Sequence, residues 1–180
     1  MNICVFCGSS FGNNAVYVQA AQELAQLFVQ SNSSLIYGGG NVGLMGVIAD
    51  SVMKEGGNVI GVIPDFLLKK EVGHKGITEL IVVNSMHERK KRMADMSDAF
   101  IAIPGGLGTL EELAEILTWK QLGLINQPIG LLNTNSYFTP LIAQMEKMVA
   151  EGFLKQDSFA DLIIQQSPQK LLTSIGAIIV

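Results

Sequence analysis

The segment with the clearest capacity for chemistry is the nine-residue run Pro104–Glu112, PGGLGTLEE. Its three glycines let the backbone approach a ligand closely and take positive φ angles. A helix predicted to begin near Leu110 adds unpaired N–H groups and the positive end of its dipole. A tight turn without a ligand is the alternative, but this combination favours a phosphate site. The predicted phosphate-binding residues are Gly105, Gly106, Leu107, Gly108 and Thr109.

Two other phosphate-binding motifs do not fit this chain. A P-loop requires a Lys directly after its glycines, and Thr109 stands in that place. The dinucleotide fingerprint requires G-x-G-x-x-G after the first strand, whereas the glycine-rich segment Gly38–Gly43 follows the second predicted strand with different spacing. An NAD-linked dehydrogenase is therefore disfavoured.

The sequence leaves two interpretations of Glu112 open. The segment Thr109–Glu112 matches a capping box, in which Thr caps a helix and the Glu three residues later bonds back. Alternatively, Glu112 is a carboxylate one helical turn from a bound phosphate, the reach from a 5′-phosphate to the anomeric carbon of a ribose. Glu111 points about 100° away around the helix and is expected to face elsewhere.

A second candidate group is the basic run Arg89–Arg92, which follows His87. Met86, Arg89 and Met93 are spaced to fall on one helical stripe, so Arg89 is predicted to face the protein interior. His87 lies off this stripe, and Lys91 and Arg92 are expected to point outward. A buried Arg needs an anionic partner, which is either a structural carboxylate or a substrate with its site groups.

The elements that must position these residues alternate between short apolar runs and amphipathic segments of helix length. Because the apolar runs are continuous rather than alternating, they predict strands buried on both faces in a parallel sheet covered by helices. Ligands of such α/β folds bind at the carboxyl ends of the strands. The predicted strands are Ile3–Cys7, Leu35–Tyr37, Val59–Ile63, Leu80–Val83, Phe100–Ile103, Ile129–Leu132 and Leu162–Ile164. The predicted helices are Ala15–Gln30, Leu44–Glu55, Met86–Met96, Leu110–Leu122, Thr139–Ala150 and Gln169–Ile178.

Length and composition limit the class of protein. The 180 residues suit one domain, 1–180, and the net charge of −4 disfavours nucleic acid or an anionic membrane as partner. No signal peptide or membrane span is expected. Cys4 and Cys7 form a C-x-x-C pair, for which a buried apolar role is favoured over a redox role, and a reduced, cytoplasmic protein is expected. No ligand spacing indicates a metal site.

Several of these segments together resemble the LOG ("Lonely guy") family of cytokinin riboside 5′-monophosphate phosphoribohydrolases, formerly labelled lysine decarboxylases. The shared segments run in family order from about residue 3 to residue 130, and their combination is highly specific. The shared segments are Cys7–Ser10, Tyr37–Gly40, Gly43–Gly46, Val62–Pro64, Met86–His87 with Arg89–Lys90, and Pro104–Gly106 with Gly108, Thr109 and Glu112.

The resemblance implies a Rossmann-like, three-layer doubly wound homodimer with sites near the subunit interface and no cofactor. The family's catalytic Arg and Glu fall on Arg89 and Glu112, and its P-G-G-x-G-T segment holds the phosphate. Leu107 is a departure, because plant members usually carry Tyr there. Further substrate contacts are expected from Glu71, Lys90, Thr118, Ser9, Gly39 and Gly40.

The expected activity is hydrolysis of the N-glycosidic bond of AMP, or of an N6-modified AMP, to a free base and ribose 5-phosphate. A non-catalytic module that binds a phosphorylated ligand is a rival, and it would not need Arg89 and Glu112. A pyridoxal-phosphate decarboxylase is a second rival, but no Lys stands in a recognisable Schiff-base setting.

Overall fold

The computed structural model describes residues 1–69 and 73–178 and contains a seven-stranded sheet in which all neighbouring strands run parallel. The strand order is β4-β3-β2-β1-β5-β6-β7, and every predicted strand is present within one or two residues of its expected bounds. The strands are β1 (Asn2–Phe6), β2 (Ser34–Tyr37), β3 (Val59–Pro64), β4 (Glu79–Val83), β5 (Ala99–Ala102), β6 (Ile129–Leu132) and β7 (Leu162–Gln165).

Helices cover both faces of the sheet, which gives the predicted three-layer, doubly wound α/β fold. The helices are α1 (Val16–Gln30), α2 (Gly43–Lys54), α3 (Asp65–Leu68), α4 (Met86–Asp95), α5 (Leu107–Gln121), α6 (Thr139–Ala150), α7 (Gln156–Ala160) and α8 (Pro168–Ser174). α1, α2 and α8 pack on one face, and α4 to α7 pack on the other. α3 and α7 were not predicted because they are too short to show a helical period. Within the described ranges, no helix is long and apolar enough to cross a membrane.

The strand side chains alternate between the two apolar layers. Ile3 and Val5 of β1 contact the layer of α1, α2 and α8, whereas Cys4 and Phe6 contact the opposite layer. Cys7 faces the same layer as Val5, so the two cysteines of the C-x-x-C pair lie on opposite sides of the sheet. Both thiols are free and buried, and burial raises the pKa of each. The small apolar role is therefore the one that the fold supports.

The order of the strands reverses at β1, which pairs with both β2 and β5. In open α/β sheets a crevice forms at the carboxyl ends of the strands at such a switch point. Here the turns after β1 and β5 meet, because the Gly8 N–H donates a hydrogen bond of 3.1 Å to the Pro104 carbonyl. The fold thus brings the predicted phosphate-binding segment to the switch point.

Candidate active site

The turn after β5 and the start of α5, residues 104–109, are called the phosphate turn below. α5 begins at Leu107, three residues earlier than the predicted Leu110, with Gly106 as its N-cap. Among the described residues, no side chain caps this helix start. The prediction placed the start at the first strongly apolar pattern and did not allow for a helix whose first turn contains Gly108.

This earlier helix start shows that the capping-box interpretation of Glu112 is wrong. Thr109 is the third residue of α5 rather than its cap, and it is 3% exposed. Its hydroxyl lies under the turn, since a Cβ added at Gly105 would come within 2.1 Å of it. Glu112 therefore does not cap the helix, and its carboxylate is available for chemistry.

Two glycines of the phosphate turn have no packing reason to be glycine. A Cβ added at Gly106 or Gly108 would meet no described atom within 4 Å, and neither residue has a positive φ. Leu107 between them is 85% exposed. By contrast, α2 begins with the N–H groups of Leu44 and Met45 bonded to the Gly8 carbonyl. The start of α5 is the open one, and its N–H groups are accessible to a ligand.

Arg89 is buried on α4, as the helical phase predicted. Ser85 caps this helix by accepting a hydrogen bond of 3.1 Å from the Glu88 N–H, which fixes where the helix begins. Arg89 is 7% exposed, and its Nε and Nη2 donate to the carbonyls of Val62 (3.1 Å) and Gly38 (3.2 Å). His87, Lys91 and Arg92 are exposed, in agreement with the prediction.

The glycine-rich turn after β2 makes room for this guanidinium. A Cβ added at Gly38 would lie 1.9 Å from Nη2 of Arg89, so no larger residue fits there. Gly39 has a φ of 76°, and Gly40 forms an antiparallel bridge with Gly73. Gly39, which was predicted to contact substrate together with Gly40, therefore has a structural reason to be glycine. Their contact with substrate stays a prediction.

The remaining guanidinium nitrogen of Arg89 faces Glu112. Nη1 lies 3.8 Å from Oε1 of Glu112, which is an ion pair too long to be a hydrogen bond. The Glu112 side chain is 12% exposed. Burial raises the pKa of Glu112 from its ordinary 4.5 to about 7, although Arg89 acts to lower it. The carboxylate can therefore exchange a proton near neutral pH.

The other residues predicted to contact substrate lie in several different parts of the chain. Lys90 pairs through its ammonium group with Glu111 at 2.7 Å and Glu115 at 3.0 Å, both on α5. The Thr118 hydroxyl donates to the Ala114 carbonyl at 2.7 Å and faces a separate groove. Ser9 is exposed beside Gly43, where a Cβ would come within 2.2 Å of the Ser9 carbonyl carbon. Glu71 lies outside the described residues.

Two residues that support the site carried no signal in the sequence. Tyr137, in the turn after β6, donates a hydrogen bond to the Gly105 carbonyl of the phosphate turn. His74 is buried, donates its backbone N–H to the Gly39 carbonyl and pairs with Asp50 at 2.9 Å. The Gly76 N–H donates to Nδ1 of His74, so the ring proton is on Nε2 and points to Asp50.

The assembled site can bind an anion beside a carboxylate. Open N–H groups at the start of α5 suit a phosphate, and Glu112 follows Gly108 by four residues, about 6 Å along the helix. In residues 1–69 and 73–178, no group of three His, Cys, Asp or Glu side chains is placed to hold a metal ion. An ionised Glu112 beside Arg89 is suited to stabilise positive charge on a sugar ring.

Solved structures with the same fold cover nearly the whole chain. A molybdenum cofactor binding protein from Rippkaea orientalis aligns with a TM-score of 0.72 and 26% identity, covering 99% of this chain and 97% of that one. A molybdenum cofactor carrier protein from Chlamydomonas reinhardtii aligns with a TM-score of 0.72 and 18% identity, covering 97% and 94% of the two chains. The second likeness concerns the fold alone.

Sequence relatives are closer than these structures. The probable cytokinin riboside 5′-monophosphate phosphoribohydrolase LOGL1 of Oryza sativa subsp. japonica is 49% identical over 170 residues, which is 94% of this chain and 76% of the relative. The cytokinin riboside 5′-monophosphate phosphoribohydrolase LOG1 of Arabidopsis thaliana is 46% identical over 173 residues, 96% of this chain and 81% of the relative. The family model described as "possible lysine decarboxylase" matches residues 45–175. The chain belongs to this family, whose members include the LOG phosphoribohydrolases.

Proposed function

We propose that this chain hydrolyses the N-glycosidic bond of a nucleoside 5′-monophosphate to a free base and ribose 5-phosphate. The substrate is AMP or an N6-modified AMP such as the cytokinin riboside 5′-monophosphate named for its relatives. The observation that carries this proposal is the open phosphate turn one helical turn from the buried Arg89–Glu112 pair. That spacing matches the distance from a 5′-phosphate to the anomeric carbon.

The phosphate turn fixes the ribose through its 5′-phosphate. We assign the phosphate to the backbone N–H groups of residues 105–109, since helix starts combine unpaired donors with a positive dipole end. Binding energy gained at the phosphate is remote from the glycosidic bond and can be used to position C1′ against Glu112. Because backbone groups hold the phosphate, the Leu side chain at position 107 is compatible with this role.

The reaction breaks the C1′–N bond and forms a bond from C1′ to a water oxygen, while a proton ends on the departing base. Cleavage of such bonds passes through an oxocarbenium-like sugar. An ionised Glu112 stabilises that positive charge or activates the attacking water. Arg89 orients Glu112 and binds ribose hydroxyls or phosphate, since its guanidinium is itself fixed by two backbone carbonyls.

The further substrate contacts in this proposal come from four regions. Ser9, Gly39 and Gly40 belong to the turns that border the phosphate turn at the sheet edge, and Glu71 belongs to the segment before β4. Lys90 lies next to Arg89 on α4 and is already paired with two carboxylates of α5. Thr118 lies further along α5 from Glu112, on the groove described next.

We also propose that the active form is a homodimer in the cytoplasm. A groove of about 530 Å³ between α5, α6 and α7 is lined mainly by apolar side chains, which a second copy would cover. Phe153 beside it is 85% exposed and Met148 is 38% exposed. The free, buried cysteines support a reducing compartment. The groove-lining side chains include Leu117, Thr118, Leu141, Met145, Met148 and Phe153.

A non-catalytic carrier of a phosphorylated ligand is the alternative that the fold permits, given the carrier proteins with the same architecture. A carrier needs the open N–H groups of the phosphate turn. It does not need an ion pair whose carboxylate has a pKa raised by burial to about 7, as Glu112 has. Perturbed carboxylates in clefts are typical of catalytic sites, so this pair favours hydrolysis.

Incubation of the purified protein with AMP and, separately, with adenosine tests the proposal. We expect adenine and ribose 5-phosphate from AMP, and adenosine to be cleaved poorly because the phosphate turn would hold nothing. Chromatography for free adenine measures both reactions. Comparable kcat/KM for the two substrates would contradict the phosphate assignment. Binding of AMP without adenine release would favour a carrier.

A further inference from the structure

We infer that Tyr137 is a positioning residue that orients the phosphate-binding N–H of Gly106. The inference rests on the proposed function and names a residue outside the family motifs. Tyr137 comes 32 positions after Gly105, yet its hydroxyl donates a hydrogen bond to the Gly105 carbonyl in the middle of the phosphate turn.

The geometry of one peptide unit connects this hydrogen bond to the ligand. The Gly105 carbonyl and the Gly106 N–H belong to the same planar trans peptide and point in opposite directions. A donor that holds the carbonyl on one side therefore directs the N–H to the other side. No side chain restrains Gly106, because it is the N-cap and a Cβ there would meet no described atom within 4 Å.

The phosphate turn needs such a restraint because it is built of glycines. Glycine loses more conformational freedom on ordering than any other residue, so Gly105 and Gly106 must be held by their neighbours. On its Gly105 side the turn packs closely on Thr109 and Gly8, because an added Cβ would lie 2.1 Å from the Thr109 hydroxyl and 2.7 Å from the Gly8 nitrogen, and the Gly8 N–H bonds the Pro104 carbonyl. Tyr137 supplies the contact at the carbonyl that these two leave free.

The turn after β6 is shaped to present this hydroxyl. Asn135 and Ser136 both have positive φ angles, 52° and 57°, which cost free energy in residues other than glycine. Asn133 supports the turn by accepting a hydrogen bond of 2.7 Å from the Phe138 N–H through its side chain. The strained pair directly precedes Tyr137, whose hydroxyl reaches the phosphate turn.

The Tyr137 ring is itself held by aromatic neighbours. Tyr17 of α1 packs edge to face against it with ring centroids 5.7 Å apart, and Phe138 does so at 5.0 Å. Phe138 is buried, whereas Tyr137 is 41% exposed. Edge-to-face pairs of this kind fix a ring without covering it. These ring contacts thus hold the Tyr137 hydroxyl in place at the border of the site.

Tyr137→Phe removes the hydroxyl and keeps the ring contacts, so it tests the role directly. We expect Kd for ribose 5-phosphate, measured by titration calorimetry, to weaken about fivefold, the effect of one lost hydrogen bond. KM for AMP should rise by a similar factor, while kcat changes by less than about twofold because the Arg89–Glu112 pair is untouched. Affinity for adenosine, which has no phosphate, should stay the same.

Tyr17→Phe is the matched control, since it removes a hydroxyl from the adjacent ring and no described residue bonds that hydroxyl. It should leave Kd and KM unchanged. The inference is overturned if Tyr137→Phe binds ribose 5-phosphate like the wild type, if both variants weaken equally, or if adenosine binding weakens with it. Should the wild type bind ribose 5-phosphate but release no base, the proposed hydrolysis fails while the ratio of the two Kd values still decides the role of Tyr137.

Discussion

At the scale of single residues, burial and the charge of Arg89 act in opposite directions on the pKa of Glu112. We predict that Glu112→Gln lowers kcat for AMP by about 10²- to 10⁴-fold, because Gln can neither carry the negative charge nor act as a base. The fold should persist, since Glu112 does not cap α5. Measurement of adenine release and melting temperature checks both parts. Glu111→Gln is the control, because Glu111 pairs with Lys90 and is 53% exposed.

The raised pKa of Glu112 gives this prediction a dependence on pH. In the proposed mechanism the ionised form is the active one, so kcat/KM should rise with pH through an apparent pKa of about 7. Stability changes in the opposite direction. The folded state holds the Glu112 proton more tightly than the unfolded state does. The stabilisation of the fold by this proton is therefore complete below pH 4.5 and is lost as pH rises through about 7. Glu112→Gln should therefore gain in relative stability above pH 7. A flat rate profile between pH 5 and 8 would contradict the assignment.

Arg89 is predicted to be irreplaceable by Lys. A guanidinium donates to two carbonyls and faces Glu112 at the same time, whereas an ammonium cannot match this planar arrangement. Arg89→Lys should lower kcat/KM for AMP by about a hundredfold or more while the protein stays folded. Arg92→Lys on the exposed side of α4 is the matched control and should change little. Near-normal turnover by Arg89→Lys would mean that Arg89 is only a structural charge.

The sequence was informative for some of these residues and silent for others. Helical phase was enough to predict that Arg89 is buried, because its neighbours on the stripe are methionines of the same helix. The capping box at Thr109 and Glu112 was a false signal, since the pattern is local while the helix start was set by Gly106. Tyr137 could not be predicted, because its partner lies 32 positions away and a lone Tyr in a turn has no distinctive pattern.

At the scale of elements, one substitution in the phosphate turn should separate the contribution of a glycine to ligand binding from its contribution to stability. Gly108 lies in the first turn of α5, has no positive φ, and faces no described atom. Alanine is a better helix former by about 1 kcal/mol, so Gly108→Ala should raise the melting temperature slightly. If the glycine is there for the phosphate, the same variant should lose affinity for AMP by about tenfold, or ~1.4 kcal/mol.

The contrasting variant is Gly105→Ala in the same turn. Its Cβ would lie 2.1 Å from the Thr109 hydroxyl and 2.7 Å from the Gly8 nitrogen, so this variant should be less stable than the wild type. Calorimetric melting should place Gly108→Ala above the wild type in stability and Gly105→Ala below it. AMP titration then measures the affinity of each variant. A Gly108→Ala protein that binds AMP normally would show that the phosphate does not approach this glycine.

Element types were predictable where the apolar pattern was long and regular. All seven strands were predicted because each is a continuous apolar run, and β7 completes the sheet although residues beyond about 151 showed no family motif. The family match extends to residue 175, which accounts for this last strand. The bounds of α5 and α8 were less accurate. Glycines lie at the start of α5, and α8 ends at Ser174 rather than at Ile178, shortly before Gly176 with its φ of 81°.

At the scale of the whole molecule, the strand order explains why distant motifs form one site. Segments after β1, β2 and β5 meet because β1 lies between the other two in the sheet. The parallel arrangement followed from the buried strands, but the order of strands did not follow from any local pattern. The groove between α5 and α7 was likewise unpredictable, because it combines side chains from three helices that are separated in sequence.

That groove gives the last prediction, which concerns assembly. If a second copy covers it, a charge at its rim should separate the dimer without unfolding the subunit. Phe153 is 85% exposed and contributes little to the core, so Phe153→Glu should halve the mass measured by light scattering and leave the circular dichroism unchanged. Val82→Glu, at an exposed site on the edge strand β4, is the control and should stay dimeric. A monomeric wild type would refute the homodimer, and a dimeric Phe153→Glu would place the interface elsewhere.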